Sequence, residues 1–485
     1  MKIYDVAVQD VGVHTERKWS WPTKTLLFSS LTTFLAGGFH FGFQISAINP
    51  LADVLQSFLL QNFQERYSLW LSKSDLTFVW SSVAGSLFIG AALGAVFMIW
   101  LIRKIGPRKS LLFSAIVLLI ASPLAGVSYY VQMAEVFILA RMLAGIGIGM
   151  GTTAQGVFLT EISPVSLRGW TGALGGLMGN FGFFCGAALG LSHFFGTSQL
   201  WPCVFFLEAL PALLHIVLNV TTFHESPKFL LEKGDCKRAQ ASLQAYGSSD
   251  AEKELERLSF ELKTRPSCSD FVSFLRDKAS TRALSLSVAL NVAVAFSGIM
   301  AMSFFGTFLL QEIGFSESAA SLANCLSVLS GTSAALLATF AFEAVGRRKM
   351  VIISLLLLTL INATMMLLVF LFESTKQASL GWPFLALFIV FLFVFSVGLG
   401  PAALFLGAEL APSGTTATVQ AISVGSQYVA CFISPILYLP LNASVGPLAF
   451  MVFIVPLSLT AVYIYCCLPE TRGKSTQEIT EELRQ

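Results

Sequence analysis

Twelve times along this chain an apolar run recurs at about twenty residues, the length a helix needs to cross the hydrocarbon core of a bilayer. The runs lie near 25–46, 76–101, 110–130, 135–157, 168–193 and 200–221, then 283–311, 318–341, 350–372, 382–408, 417–438 and 446–467. In lipid a backbone must satisfy its own hydrogen bonds, so such runs form helices. Only 12% of the 485 residues are charged, against about 25% in soluble domains. The predicted fold is an all-α membrane protein with twelve transmembrane helices.

One long polar interval, from Phe223 to Thr281, divides the runs six and six. Its charges alternate with apolar residues at helical spacing, as in Glu252-Lys253-Glu254-Leu255-Glu256-Arg257. That pattern predicts short amphipathic helices, not a flexible tether. The expected organisation is a tail at 1–24, a six-helix bundle at 25–221, a helical bridge at 222–282, a second bundle at 283–467 and a tail at 468–485.

Sidedness follows from the cations. If the N-terminus is cytosolic, 26 of the 30 Lys/Arg fall on that side, 11 of them in or at the edge of the bridge. The opposite side holds only Arg66, Lys73 and Lys376, and Arg141 lies inside the fourth run. Positive charge concentrates in cytosolic loops, so both termini and the bridge are expected there. The expected setting is the plasma membrane.

The eight cysteines offer no disulfide framework: six fall in or at the ends of apolar runs, and Cys236 and Cys268 lie in the bridge. None is spaced as a metal ligand. Residues 1–24 lack the apolar core and cleavage site of a secretory signal.

The two halves repeat each other. Ile105-Gly106-Pro107-Arg108-Lys109 pairs with Val345-Gly346-Arg347-Arg348-Lys349, Glu161-Ile162-Ser163-Pro164 with Glu409-Leu410-Ala411-Pro412, and Glu225 with Glu470. The offsets are 240, 248 and 245 residues. Parallel repeats of this kind place a substrate site midway between the halves.

Those motifs carry a resemblance. With Arg168-Gly169, Glu225-Ser226-Pro227-Lys228, Glu343 before Gly346-Arg347-Arg348, and Pro469-Glu470-Thr471-Arg472-Gly473, the chain resembles the facilitative hexose transporters. These form the sugar-porter branch of the major facilitator superfamily. Leu200-Trp201-Pro202, Ser297-Gly298-Ile299, Gly400-Pro401 and Gly446-Pro447 extend the match, which runs from about Phe39 to Ser475.

The resemblance implies a cytosolic gate of ion pairs that join the halves when the cavity faces outward. Its residues here are Arg108, Glu161, Arg168, Glu225, Glu343, Arg347, Arg348, Glu409 and Glu470. Exposed pairs contribute about 0.2–1 kcal/mol each, enough to bias a bistable element without locking it. The alternative for the arginines is headgroup anchoring, which does not account for the glutamates. Thr416 stands where the family has an arginine, and Ile102 and Pro107 replace a polar residue and an arginine.

The resemblance also marks a substrate cavity, where this chain is poor in amides. Val294, Ala295 and Met300 occupy the positions of two glutamines and an asparagine in the seventh helix. Gly176 and Gly331 replace amides in the fifth and eighth, while Ser396 and Leu404 stand for a glutamate and a tryptophan. Gln427 and Tyr428 keep a polar-aromatic pair, and Gln44 occupies the place of the aspartate found in proton-coupled relatives. Leaving a buried hydroxyl unpaired costs about 1–3 kcal/mol, so other polar residues (Gln44, Asn180, Asn324, Gln427) would have to read a sugar.

Facilitative, uncoupled uptake of a hexose by alternating access is the expected function. Three readings stay open beside it: transport of a less polar solute, a non-transporting sensor, and a proton symporter. The short tail after Leu468 counts against the sensor. His40 is read as a cavity or mouth residue. Glu208 and His215 share a face of the sixth helix, either reaching a wet surface or forming a coupling pair. The sequons at Asn219, Asn362 and Asn442 are expected to stay unmodified. The glycine run 145–151 is a helix-packing surface, since no strand precedes it and no lysine follows. No nucleophile, base or metal set is present, so no enzyme, cofactor or nucleic-acid partner is expected. The partners are a small-molecule substrate, a monosaccharide by resemblance, and the lipid bilayer.

Overall fold

The computed structural model describes residues 22–70, 72–164, 167–248, 250–263 and 271–484. Most of the N-terminal tail and Cys268 lie outside the described residues, as does the side chain of Glu343. Eleven helices are long and apolar enough to span a membrane, and a pair bent by 41° makes the twelfth. No strand occurs among the described residues.

In the first half the spans are Lys24–Thr33 with Gly38–Ala47, then Lys73–Ile105, Pro107–Val131, Ala134–Ile162, Arg168–Leu189 and Trp201–Thr222. In the second they are Lys278–Ala295 with Ile299–Glu312, then Glu317–Val345, Arg347–Thr375, Gly381–Val397 with Leu399–Leu410, Thr416–Val445, and Gly446–Phe450 with Met451–Cys467. Several helices outrun their apolar stretches, as at Arg103 and Lys104, where long cations continue the helix beyond the hydrocarbon. The helix Ala52–Tyr67, on the face opposite the bridge, has no counterpart in the hydropathy pattern because polar residues interrupt its apolar ones throughout.

Lipid is as apolar as leucine, so close packing and hydrogen bonds hold the helices together. The glycine run in the fourth span illustrates this. A Cβ on Gly145 would fall 2.0 Å from the Leu87 carbonyl oxygen, and one on Gly149 1.9 Å from that of Ala91. The second and fourth spans therefore touch backbone to backbone.

Spans one, seven and ten are broken near mid-membrane, and each break frees backbone groups that lipid cannot satisfy. Polar side chains from neighbouring spans take them up. Gly38 N donates to Gln155 Oε1 (3.3 Å), Asn362 Nδ2 donates to Ser297 O (3.0 Å), and Leu399 N donates to Ser354 Oγ (3.1 Å). Gly298, at φ 99°, supplies the left-handed turn of the seventh span. Asn362 is fully buried in this role, which removes it as a glycan acceptor.

The interval between the halves is helical, as its charge pattern predicts: Pro227–Glu232, Cys236–Ala245, Ala251–Lys263 and Phe271–Arg276. Leu243, Ala251 and Leu258 form its own small core. Tyr246 docks it on the first half, its ring packing edge-on against Phe158 with centroids 6.4 Å apart. The side of the molecule carrying these helices is termed the bridge face below, and the opposite side the far face.

Candidate functional site

A cavity lies between the two halves, with about 90 Å³ of open space. Phe41, Phe183 and Tyr428 supply aromatic walls, and Asn49, Asn180, Asn324, Gln427 and Thr152 supply polar groups. The breaks in spans one, seven and ten all border it, at Gly38, Ile299 and Gly400. Helix interruption gives the cavity its width, because continuous helices would pack to contact.

Cross-half hydrogen bonds run from the bridge face to the far face. Arg103 Nη2 donates to Thr418 Oγ1 at 2.9 Å. At cavity level Thr152 Oγ1 and Tyr428 OH are 2.8 Å apart, and Ser396 Oγ donates to Asn180 Oδ1 at 3.0 Å. Toward the far face Asn49 Nδ2 donates to Ser303 O at 3.0 Å. Phe41 also packs on Tyr428 with ring centroids 5.6 Å apart.

Of the ten cavity residues expected from sequence, Gly176, Val294, Met300, Leu404, Gln427 and Tyr428 line it. Gly331 and Ser396 lie beside it against Asn180, where a Cβ on Gly331 would sit 3.0 Å from Asn180 Oδ1. Ala295 is buried away from it, and so is Gln44. Gln44 faces the interior of the first half because two buried charges claim its amide. Its Nε2 donates to Glu208 Oε2 at 2.6 Å, and its Oε1 accepts from Arg141 Nη1 at 2.6 Å. His40 Nδ1 donates to the other Glu208 oxygen at 3.0 Å.

This corrects three expectations. Glu208 reaches no wet surface, being 1% exposed. His40 lines neither cavity nor mouth. Glu208 and His215 are not partners: His215 Nδ1 donates to Thr32 O at 2.7 Å, and its Nε2 meets the Asn219 amide at 3.3 Å. A buried arginine and glutamate joined through one amide keep the centre neutral, which is how lipid-depth charges are tolerated.

At the bridge face several of the expected gate residues are held within their own half. Arg108 Nη2 donates to Asn219 O at 2.7 Å, its backbone N donates to Glu225 Oε1 at 2.9 Å, and Ser226 Oγ donates to Glu161. In the second half Arg347 lies 3.7 Å from Glu409, and Glu470 accepts the backbone N–H groups of Arg347 and Arg348. Arg168 is buried and borders a small pocket shared with Leu404 and Phe405 of the second half. Arg103, beside Lys104 at a helix end, carries no sequence signal that sets it apart as a gate residue. Its reach to Thr418 is visible only once the halves are assembled.

The chain matches the family described as Sugar (and other) transporter over residues 30–483. It belongs to that family. The transporter is 27% identical over 472 residues to facilitated glucose transporter protein 1 of Caenorhabditis elegans, covering 95% of this chain and 91% of the relative. It is 26% identical over 469 residues to solute carrier family 2, facilitated glucose transporter member 5, of Equus caballus, covering 94% and 91%. Its fold matches the proton:xylose symporter XylE bound to 6-bromo-6-deoxy-D-glucose with a TM-score of 0.80 at 19% identity, over 95% of this chain and 99% of the other. Against the inward-open conformation of XylE from E. coli the TM-score is 0.69. The transporter thus has the major facilitator fold, and it is a multi-pass membrane protein, not an enzyme.

Proposed function

We propose that this transporter carries a monosaccharide by facilitated, uncoupled alternating access, residues 25–221 and 283–467 rocking about the central cavity. In this reading the bridge at 222–282 and both tails are cytosolic and the membrane is the plasma membrane. The concentration of Lys/Arg on the bridge face supports that sidedness. The proposed cavity residues are the six that line it, and the proposed bridge-face gate is the set from Arg108 to Glu470 with Arg103 added.

The cavity between the halves carries the reading. About 90 Å³ of open space between the halves has room for several waters, and so for a small solute. Among the described residues its polar groups are side-chain amides and hydroxyls with no carboxylate or cation, matching a neutral polyol. The aromatic rings of Phe41, Phe183 and Tyr428 suit the C–H face of a sugar ring. The relatives named as facilitated glucose transporters point to the same substrate class. Uncoupled transport is supported by Gln44, a non-titrating amide, standing between Arg141 and Glu208.

A second reading rests on the apolar wall formed by Val294, Met300 and Leu404, which fits a less polar solute. Uptake of labelled glucose, fructose and a neutral hydrophobic control into proteoliposomes, with and without a pH gradient, separates the two. Saturable hexose uptake of equal rate under both conditions is the expected outcome. Folded protein that moves the hydrophobic control but no hexose would sink the sugar reading, and a gradient-dependent rate would sink the uncoupled one.

A further inference from the structure

At the bridge face of the second half a separate cavity of about 370 Å³ opens between the start of the seventh span, the last turns of the twelfth and the C-terminal helix Thr476–Arg484. Its walls carry Arg282, Arg348, Tyr463, Cys466 and Cys467, with Glu482 and Leu483 contributed by the C-terminal helix.

Both guanidinium groups are held by backbone carbonyls. Arg282 Nη1 donates to Leu483 O at 3.1 Å, and Arg348 Nη2 donates to Tyr465 O at 2.7 Å. A guanidinium has five N–H donors, so each keeps several in reserve. Among the described residues neither forms an ion pair with a carboxylate.

The nearby acids are committed elsewhere. Glu470 takes the backbone N–H groups of Arg347, Arg348 and Arg472. Glu482 binds Lys474 Nζ at 2.5 Å, and Asp277 lies 3.7 Å from Arg484 while capping Ser280. The cavity therefore has an excess of positive charge in a fixed geometry, the arrangement that favours bidentate capture of a phosphate.

Its position favours a lipid as the source. Val462 and Tyr465, on the same last turns of the twelfth span, are 65% and 64% exposed and face outward. Here an apolar helix ends, cations begin, and the bilayer headgroups lie alongside.

We propose that this cavity binds the phosphate of an anionic lipid headgroup between Arg282 and Arg348, with the acyl chains lying along Val462 and Tyr465. The bound headgroup fastens the C-terminal helix to the seventh and twelfth spans. The charge of the leaflet follows from the sidedness proposed above, but binding in a nanodisc is read without reference to sidedness.

The test uses the full chain in phosphatidylcholine nanodiscs with a minor fraction of phosphatidylglycerol, followed by native mass spectrometry of the lipid retained. Wild type is expected to retain phosphatidylglycerol, and Arg282→Gln with Arg348→Gln to bind it about thirtyfold more weakly. Lys349→Gln, on the same exposed face but outside the cavity, is expected to retain lipid as wild type does. Arg282→Lys with Arg348→Lys keeps the charge and most of the retention, which separates lost binding from lost folding. Equal retention by the glutamine pair, or equal loss in Lys349→Gln or the lysine pair, overturns the proposal. Inorganic phosphate forms a separate arm. If it displaces phosphatidylglycerol at comparable concentration, the site belongs to a free anion and the lipid assignment falls.

Discussion

Glu470 Oε1 accepts the backbone N–H of Arg347 at 3.0 Å, closing the N-terminus of the ninth span with the acid that follows the twelfth. Glu225 Oε1 does the same at Arg108, at 2.9 Å, for the third span and the sixth. Gly106 and Gly346, at φ 89° and 99°, make the turns that bring these N–H groups round. A Cβ on Gly346 would meet Glu470 Oε2 at 2.7 Å. The repeated motif thus builds a clamp inside each half, an acid on the positive end of a helix dipole.

Replacing Glu470 by alanine removes that clamp and is expected to cost about 1–2 kcal/mol. Thermal unfolding in detergent reads it as a lowered Tm, with Glu470→Gln falling less because the amide oxygen still accepts. An unchanged Tm for the alanine variant would refute the clamp.

Burial, the largest cause, holds the Glu225 carboxyl above its ordinary 4.5, against the lowering effect of the N–H donors of Arg108 and Ser226. Between the raised value and 4.5 the folded protein binds a proton that the unfolded chain does not. Stability from this group is therefore absent at neutral pH, grows as pH falls through the raised value, and is complete below 4.5. The Tm difference between wild type and Glu225→Gln should shift in favour of wild type as the pH is lowered. A constant difference across that range contradicts it.

The Thr152–Tyr428 hydrogen bond exists only while the halves are closed at cavity level. Tyr428→Phe removes about 1 kcal/mol of that closure, a shift of about fivefold toward open states. Thr152 keeps its bond to Ile148 O, so no polar group is stranded. Distances between spin labels on the two halves should broaden, and identical distributions would show that the bond does not govern closure.

Gly149→Ala places a methyl against the Ala91 carbonyl, with no flexible atom to yield. The second and fourth spans must separate, at an expected cost of about 1–3 kcal/mol or more. Yield of monodisperse protein and Tm should both fall. A variant matching wild type in both would mean that the seam relaxes freely.

Glu208→Ala leaves Arg141 charged and uncompensated in the membrane, and breaking a buried pair in this way costs about 3–5 kcal/mol. Loss of folded protein is expected, with partial recovery in the double variant Glu208→Ala, Arg141→Met. If the single variant is as stable as wild type, the neutral centre is not structural.

Much of the architecture was legible from one dimension. Bilayer thickness acts on each segment by itself, so the twelve runs announced twelve spans, and bridge amphipathicity announced helices. Repeat motifs located the clamps within each half. The helix Ala52–Tyr67 escaped because hydropathy carries no signal for it.

The cavity was legible only in part. Gly176, Val294, Met300, Leu404, Gln427 and Tyr428 line it, whereas Gln44 and Ala295 do not. Span number and family were thus determined by the sequence alone, because hydrocarbon imposes its demands residue by residue. Which polar side chains face substrate was decided by the tertiary structure. Buried Arg141 and Glu208, from different spans, draw Gln44 inward, and the freed backbone of each broken span draws Gln155, Asn362 and Ser354 to it. Such partners lie far apart in the chain, and unpaired polar groups in lipid are too costly for any other arrangement.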